Sequence, residues 1–413
     1  MHNVYVGRQP IFDSNQRVLA YELLSRSGQG NRVTELEGNR ATSQVMLNAF
    51  VAIGLEQMTG GKPAFINCTR DLLLGETLGA LPADRVVLEV LEDMEIDPPL
   101  VEAVRRKVDA GYTIALDDFV YSRQWDPLLE MASIVKLDVL ALDRREIQRH
   151  LRLLRPFGVK LLAEKVETPE DFDHFRDLNF DYYQGYFLSR PSVVEGQCVP
   201  ANRLAVMQLL SRLYDPQAEV KELAKMIEPD LALAYKLLRY INSSLFSLPG
   251  EIRSIQQAIT LLGLNEIRRF ASLVLMSSID GKPPELMNIS LIRARMCQGL
   301  AEALQEPDAA TYFIVGLFSS LDAFMDRPMA ELVDSLPLPA AAQAALAGHE
   351  GRMGEALQLV LDYEACVWDG RARLGLSPDE IQRIYWESLS WSTRTLAVAA
   401  PAADAGAAAL MSE

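Results

Sequence analysis

The chain offers few elements that could brace it from outside its own packing. Its four cysteines, Cys68, Cys198, Cys297 and Cys366, are scattered through 413 residues without paired spacing. That excludes a disulfide frame and a zinc site, and it points to a reducing compartment, the cytoplasm. No apolar stretch is long enough to cross a bilayer, and the opening MHNVYVGRQP lacks the apolar core of a signal peptide. Basic residues are scarce beside acidic ones: 40 Lys and Arg stand against 56 Asp and Glu, a formal charge of −16. A nucleic-acid surface needs clustered cations, so no DNA partner is expected. A small anionic ligand held by local cations or a metal stays compatible with this balance. The length fits two domains, each with enough chain for its own core.

What the first half has is a series of short apolar runs, most of which end in an acid or an amide. They are 18–22 (VLAYE), 64–67 (AFIN), 86–89 (VVLE), 113–118 (TIALDD), 134–138 (IVKLD), 159–164 (VKLLAE) and 182–184 (YYQ). Each has the length and the β-branched or aromatic content of a buried strand, and helical segments separate most of them. Strand–helix alternation favours a parallel sheet closed into a barrel, with chemistry at the C-terminal ends of the strands. An acid after a strand is commonly just the N-cap of the next helix. Here the series is long, Asp117 and Asp118 are adjacent, and Lys136 lies inside an apolar strand, where an ammonium needs a carboxylate or an anionic ligand. Carboxylates meeting at one mouth repel unless a cation sits among them, so the pattern reads as a divalent-metal site.

After about residue 202 the strand signals fade and helical periodicity takes over. The expected organisation is a barrel domain over 1–195, a helical domain over 202–399 and an alanine-rich, disordered tail over 400–413. The joint falls at 189–201 (SRPSVVEGQCVPA), which carries two prolines and no helical period. Helices are expected over 203–214, 219–227, 231–241, 254–263, 266–278, 292–304, 309–324, 329–335, 339–347, 353–374 and 378–399. Ser254 opens one of them with Gln257 placed for a capping box, and Gly263 is a natural stop.

These motifs resemble a known pair of domains. Gln9-Pro10-Ile11, Glu22-Leu23-Leu24 with Arg26, Asn67 in FINCT, and Glu89 with Glu92 in LEVLE match the EAL domain in order. So do Asp117-Asp118, Lys136-Leu137-Asp138, Ala163-Glu164-Lys165-Val166-Glu167 and Gln184-Gly185-Tyr186. The second half resembles the HDOD domain in 227–231 (IEPDL), Asn242-Ser243-Ser244 and 254–263 (SIQQAITLLG). Together they look like the EAL–HDOD two-domain proteins of bacterial signalling. The resemblance implies an α/β TIM-like (β/α)8 barrel followed by an all-α bundle, and cyclic di-GMP as ligand. It implies Mg²⁺ or Mn²⁺, one ion or two, on Glu22, Asn67, Glu89, Asp117 and Asp118. It gives Glu164 as general base, Lys136 at the nucleophile or phosphate and Glu167 in the catalytic set. Gln9, Glu22, Leu24, Arg26 and Gln184 would meet the dinucleotide.

Departures from the family pattern bear on activity. The stretch 119–127 (FVYSRQWDP) has no glycine where the family has a glycine- and serine-rich loop, and Leu91 stands in place of a threonine. Lys165 stands where glycine is usual, and could lower the basicity of Glu164 and Glu167 or take a metal's place. The expected function is therefore a cyclic di-GMP signalling protein whose barrel binds nucleotide or scaffolds with weak or no turnover, while the helical domain relays through protein contacts. The alternatives are an active metal-dependent phosphodiesterase and an adaptor that binds no nucleotide. The related HD-type hydrolases need several histidines and a His-Asp pair. Past the joint there is only His349, expected as a helix C-cap or surface residue, and Ser319-Ser320 stand where the pair would be sought. The helical half is therefore expected not to be catalytic. Asn242 reads equally as a cap or a partner contact. Homodimerisation is left open.

Overall fold

The protein is described from a computed structural model, which covers residues 4–27, 55–75, 77–187, 201–214, 238, 241–242, 252, 254–277, 279, 281–365, 367 and 372–399. They form two compact units, mainly the residues before 188 and those after 200.

The first unit is a closed barrel of eight strands in chain order. These are β1 Val4–Phe12, β2 Val18–Ser27, β3 Ala64–Cys68, β4 Val86–Val90, β5 Thr113–Leu116, β6 Ile134–Asp138, β7 Lys160–Glu164 and β8 Tyr182–Gln184. From β2 to β8 each strand runs parallel to the next. β1 is antiparallel to both neighbours, β2 and β8. The sequence reading expected an all-parallel barrel and had no run for β1. Gly7, Arg8 and Pro10 hide it, since proline inside a run argues against a strand. The structure accommodates Pro10 because β1 meets β8 only at Ile11 and Phe12. A tight turn joins β1 to β2, with Asp13 Oδ1 accepting from the Asn15 and Arg17 amides.

Helices alternate with the strands along the chain, and their caps come from dedicated residues. Asp97 caps Pro98–Asp109, Asp143 with Glu146 forms a capping box on Arg144–Leu154, and Thr168 with Asp171 does the same on Pro169–Asp177. Inside the barrel every strand sends one residue into an apolar layer: Ile11, Ala20, Phe65, Val87, Ala115, Ile134, Leu162 and Tyr182. This layer is the floor of the site.

The second unit is helical. Its central helix, Pro284–Ala303, packs against Ala309–Phe318 and Pro378–Ala399. Gly316 permits the first crossing, because a Cβ there would lie 2.4 Å from Arg293 O. The helix expected at 292–304 starts at Pro284 instead, since proline fits the first helical position. The one expected at 309–324 is split at Ser319-Ser320. Ser320 bonds the buried Ser290, and Arg293 reaches Ser319 at 3.4 Å, so these serines serve the core. Ser254 caps Ile255–Leu262, and Gly263 ends it with φ +84°. His349 is a helix C-cap with φ +55°. Asn242 is tied to the backbone N–H and C=O of Ile252, both at 2.7 Å. The helices expected at 219–227 and most of 231–241, the motif at 227–231 and the tail 400–413 lie outside the described residues.

Candidate functional site

Side chains alternate along a strand, so the residue two positions nearer the mouth from each floor residue also points inward. Reading those positions round the barrel gives Gln9, Glu22, Asn67, Glu89, Asp117, Lys136, Glu164 and Gln184. One polar residue from every strand, or from the residue just beyond it, thus forms a ring on the apolar floor. Lys136 Nζ lies at its centre. It sits 2.5 Å from Glu89 Oε1, 2.7 Å from Asp117 Oδ1, 2.9 Å from Glu164 Oε1 and 3.2 Å from Glu22 Oε2. Gln184 Nε2 donates to Glu22 Oε2 at 2.6 Å and Gln9 Oε1 at 3.0 Å, and Asn67 Nδ2 to Glu22 Oε1 at 3.2 Å. Among the described residues none of the ring acids caps a helix through its side chain, which favours a site over a capping role.

One ammonium faces four carboxylates, three of them buried and that of Asp117 half-buried, and two of the buried acids hold their protons more tightly than usual. Burial, with the Glu22 charge beside it, pushes the Glu89 carboxyl far above the ordinary range despite Lys136. Burial pushes Glu164 up to about 8, Lys136 opposing and Asp117 and Glu22 adding. Burial alone would lower the Lys136 pKa, but the four carboxylates raise it, so the ammonium stays charged.

Several expected residues lie off the ring. Asp118, at φ +39°, turns away towards Lys165 Nζ, 3.8 Å off. Lys165, itself at φ +60°, is bonded to Asp138, which also accepts from the Leu140 and Ala141 amides. Leu24 follows Glu22 on the same face of β2 and is half-buried, and Glu167 is half-buried in the loop after β7. The Arg26 side chain lies outside the described residues. The Asp138–Lys165 pair was missing from the expected site. Its signal, an acid closing β6 and a lysine after β7, was visible but not joined.

The loop 119–127 manages without glycine. No residue of it has positive φ. Phe119 packs edge-on against Trp125, with ring centroids 5.5 Å apart, and Tyr121 N–H donates to His150 Nε2 at 3.2 Å.

The donor chemistry fits a hard divalent cation. Asn67 Oδ1, Glu89 Oε2, Asp118 Oδ1 and Glu164 Oε2 are buried oxygens without a hydrogen-bond partner, and such oxygens suit Mg²⁺ or Mn²⁺. Among the described residues no three acids form a finished cage, because the ammonium of Lys136 draws them to itself. A bound ion would have to compete with Lys136 for these carboxylates.

Comparison with known proteins agrees with this architecture. The EAL domain model matches residues 3–191 and the HDOD domain model residues 199–333. The uncharacterized protein YuxH of Bacillus subtilis (strain 168) is 36% identical over 399 residues, 94% of this chain and 98% of that one. The cyclic di-GMP phosphodiesterase CdgJ of Vibrio cholerae serotype O1 is 34% identical over 401 residues, 95% of this chain and 93% of that one. Among solved structures, Klebsiella pneumoniae BlrP1 in its calcium and cyclic di-GMP complex matches at 22% identity and a TM-score of 0.38. That match covers 46% of this chain and 55% of the other, so this chain spans about half the length of that one. An eight-stranded barrel with a polar ring, joined to a helical unit, and full-length likeness to two relatives lead to one assignment: the chain belongs to the family of proteins that join an EAL domain to an HDOD domain.

Proposed function

We propose that this chain is a cyclic di-GMP signalling protein whose barrel mouth binds the dinucleotide with a divalent cation and hydrolyses one of its phosphodiester bonds. The observation that carries the reading is the complete ring, with buried oxygens left free around Lys136. CdgJ, alike over nearly its whole length, bears the name of such a phosphodiesterase.

Glu22, Asn67, Glu89 and Asp117 would hold the ion. When bound, the ion makes water more acidic and offsets charge on the phosphate. Glu164, whose Oε2 is free, takes the proton of the attacking water. The water oxygen bonds to phosphorus, the bond to one ribose oxygen breaks, and that oxygen leaves with a proton from solvent. Lys136 balances the negative charge that grows on the phosphoryl oxygens. Gln9 and Gln184, already paired with each other, orient the ligand at the ring's edge. The helical unit passes the barrel's state to a protein partner by contact.

A second reading, binding with weak or no turnover, is favoured by Lys165 bonded to Asp138 and by the loop 119–127 that lacks glycine. Calorimetry with cyclic di-GMP and Mn²⁺, followed by chromatography of the products, separates the two. Rapid formation of linear dinucleotide, abolished in Glu22→Ala, supports hydrolysis. Binding without conversion selects the second reading. No heat at high nucleotide concentration removes both and leaves an adaptor.

A further inference from the structure

Two ammonium groups lie in the acidic mouth, at different depths. Lys136 is fully buried at the centre of the ring, while Lys165 is half-exposed at its outer edge. Lys165 occupies a left-handed backbone position, φ +60°, which costs any residue with a Cβ and costs glycine nothing. Strain of this kind persists where the surroundings impose it, and here it goes with a side chain held by two carboxylates. Its ammonium is bonded to Asp138 and stands 3.8 Å from Asp118 Oδ1. Burial would raise the carboxyl of Asp138, but the Lys165 ammonium and the Ala141 and Leu140 amides hold it below its ordinary range.

Asp138 is thereby committed: one oxygen meets Lys165 and the other accepts the Leu140 and Ala141 amides. Asp118 retains a buried oxygen without a hydrogen bond, but an ion bound to it would share that carboxylate with a cation already in place. Like charges at such a separation repel, though solvent around the half-exposed pair weakens the effect. The inner oxygens of Asn67, Glu89 and Asp117 carry no such competitor beyond Lys136.

We infer that Lys165 is a tethered cation occupying the outer part of the mouth, so that the chain takes up one divalent ion, on the inner set, and excludes a second from Asp118. The inference rests on the proposed metal-binding role of the ring. It makes Lys165 a positioning residue: it fixes the ion count and holds Asp118 and Asp138.

The test counts ions on the full chain. Protein stripped with a chelator is titrated with Mn²⁺, and bound ion is obtained from the loss of the free-ion electron paramagnetic resonance signal. The wild type is expected to bind one ion per chain. Lys165→Gly, which removes both charge and strain, and Lys165→Gln, which removes the charge alone, are expected to bind two. The second ion should also broaden the bound spectrum through magnetic coupling to the first. Two ions on the wild type, or one ion on both variants, overturns the inference and leaves the ring as a metal site. No ion bound by any of the three overturns the ring reading and the inference together.

Discussion

Lys136 has no exposed surface and touches four carboxylates, an arrangement that depends on both sides being present. Removing one partner of a buried ion pair costs about 3–5 kcal/mol, because the charge left behind has no compensation. Lys136→Met should lose stability of that order in urea unfolding of the metal-free protein. Equal midpoints for variant and wild type would mean that the ring relaxes without its ammonium. The acids set a pH dependence of their own. Glu164 has a folded pKa of about 8 against 4.5 for the free group, a raised value. Its stabilising contribution is therefore full below the free-group value and is lost as pH rises through about 8. Metal-free protein should melt at lower temperature at about pH 9 than at about pH 6, and Mn²⁺ should flatten that slope by taking the place of the protons. A melting temperature that rises with pH in the absence of metal would contradict the assignment.

Two connecting segments set the edges of the mouth. After β5 the chain runs through 119–127, pinned by the Phe119–Trp125 contact and by the Tyr121 amide on His150. His150 Nδ1 lies 2.8 Å from Glu146 O, so it donates there and Nε2 is free to accept. His150→Ala should leave the barrel folded while amide exchange at Tyr121 becomes markedly faster, as hydrogen-exchange mass spectrometry would read. Unchanged protection would remove His150 from this role. After β8, Gly185 adopts φ +150°, and a Cβ there would lie 2.1 Å from Val166 O. Gly185→Ala must move the strand end and pull Gln184 from Glu22. The loss of a hydrogen bond to a charged group is worth about 1.5–3 kcal/mol, so cyclic di-GMP binding should weaken on the order of tenfold to a hundredfold in calorimetry.

At the scale of the molecule the two compact units should respond separately to ligands. An ion that binds only the native barrel stabilises it by about 2.7 kcal/mol at a hundred times its dissociation constant. Differential scanning calorimetry is expected to show two transitions, of which Mn²⁺ raises one. In Gly316→Leu, where a side chain must fit against Arg293 O, the other transition should fall. One cooperative transition shifted by both changes would join the units into a single folding block.

The sequence by itself determined the strand order from β2 onward and the acids, amides and lysine that those strands carry, while Gln9 on β1 came only through the family resemblance. Both follow from local rules: a buried strand reads as a short apolar run, and the pleat places an acid or amide two residues beyond the floor on the same face. β1 escaped because Gly7 and Pro10 erase that local signature, while its place depends on pairing with residues distant in the chain. Only the tertiary structure decided that Lys136 stands at the centre of the ring, that Asp118 turns out of it, and that Lys165 reaches Asp138 across 27 positions of sequence. Backbone sign and side-chain reach are set by packing between distant strands, and no spacing along a single segment encodes them.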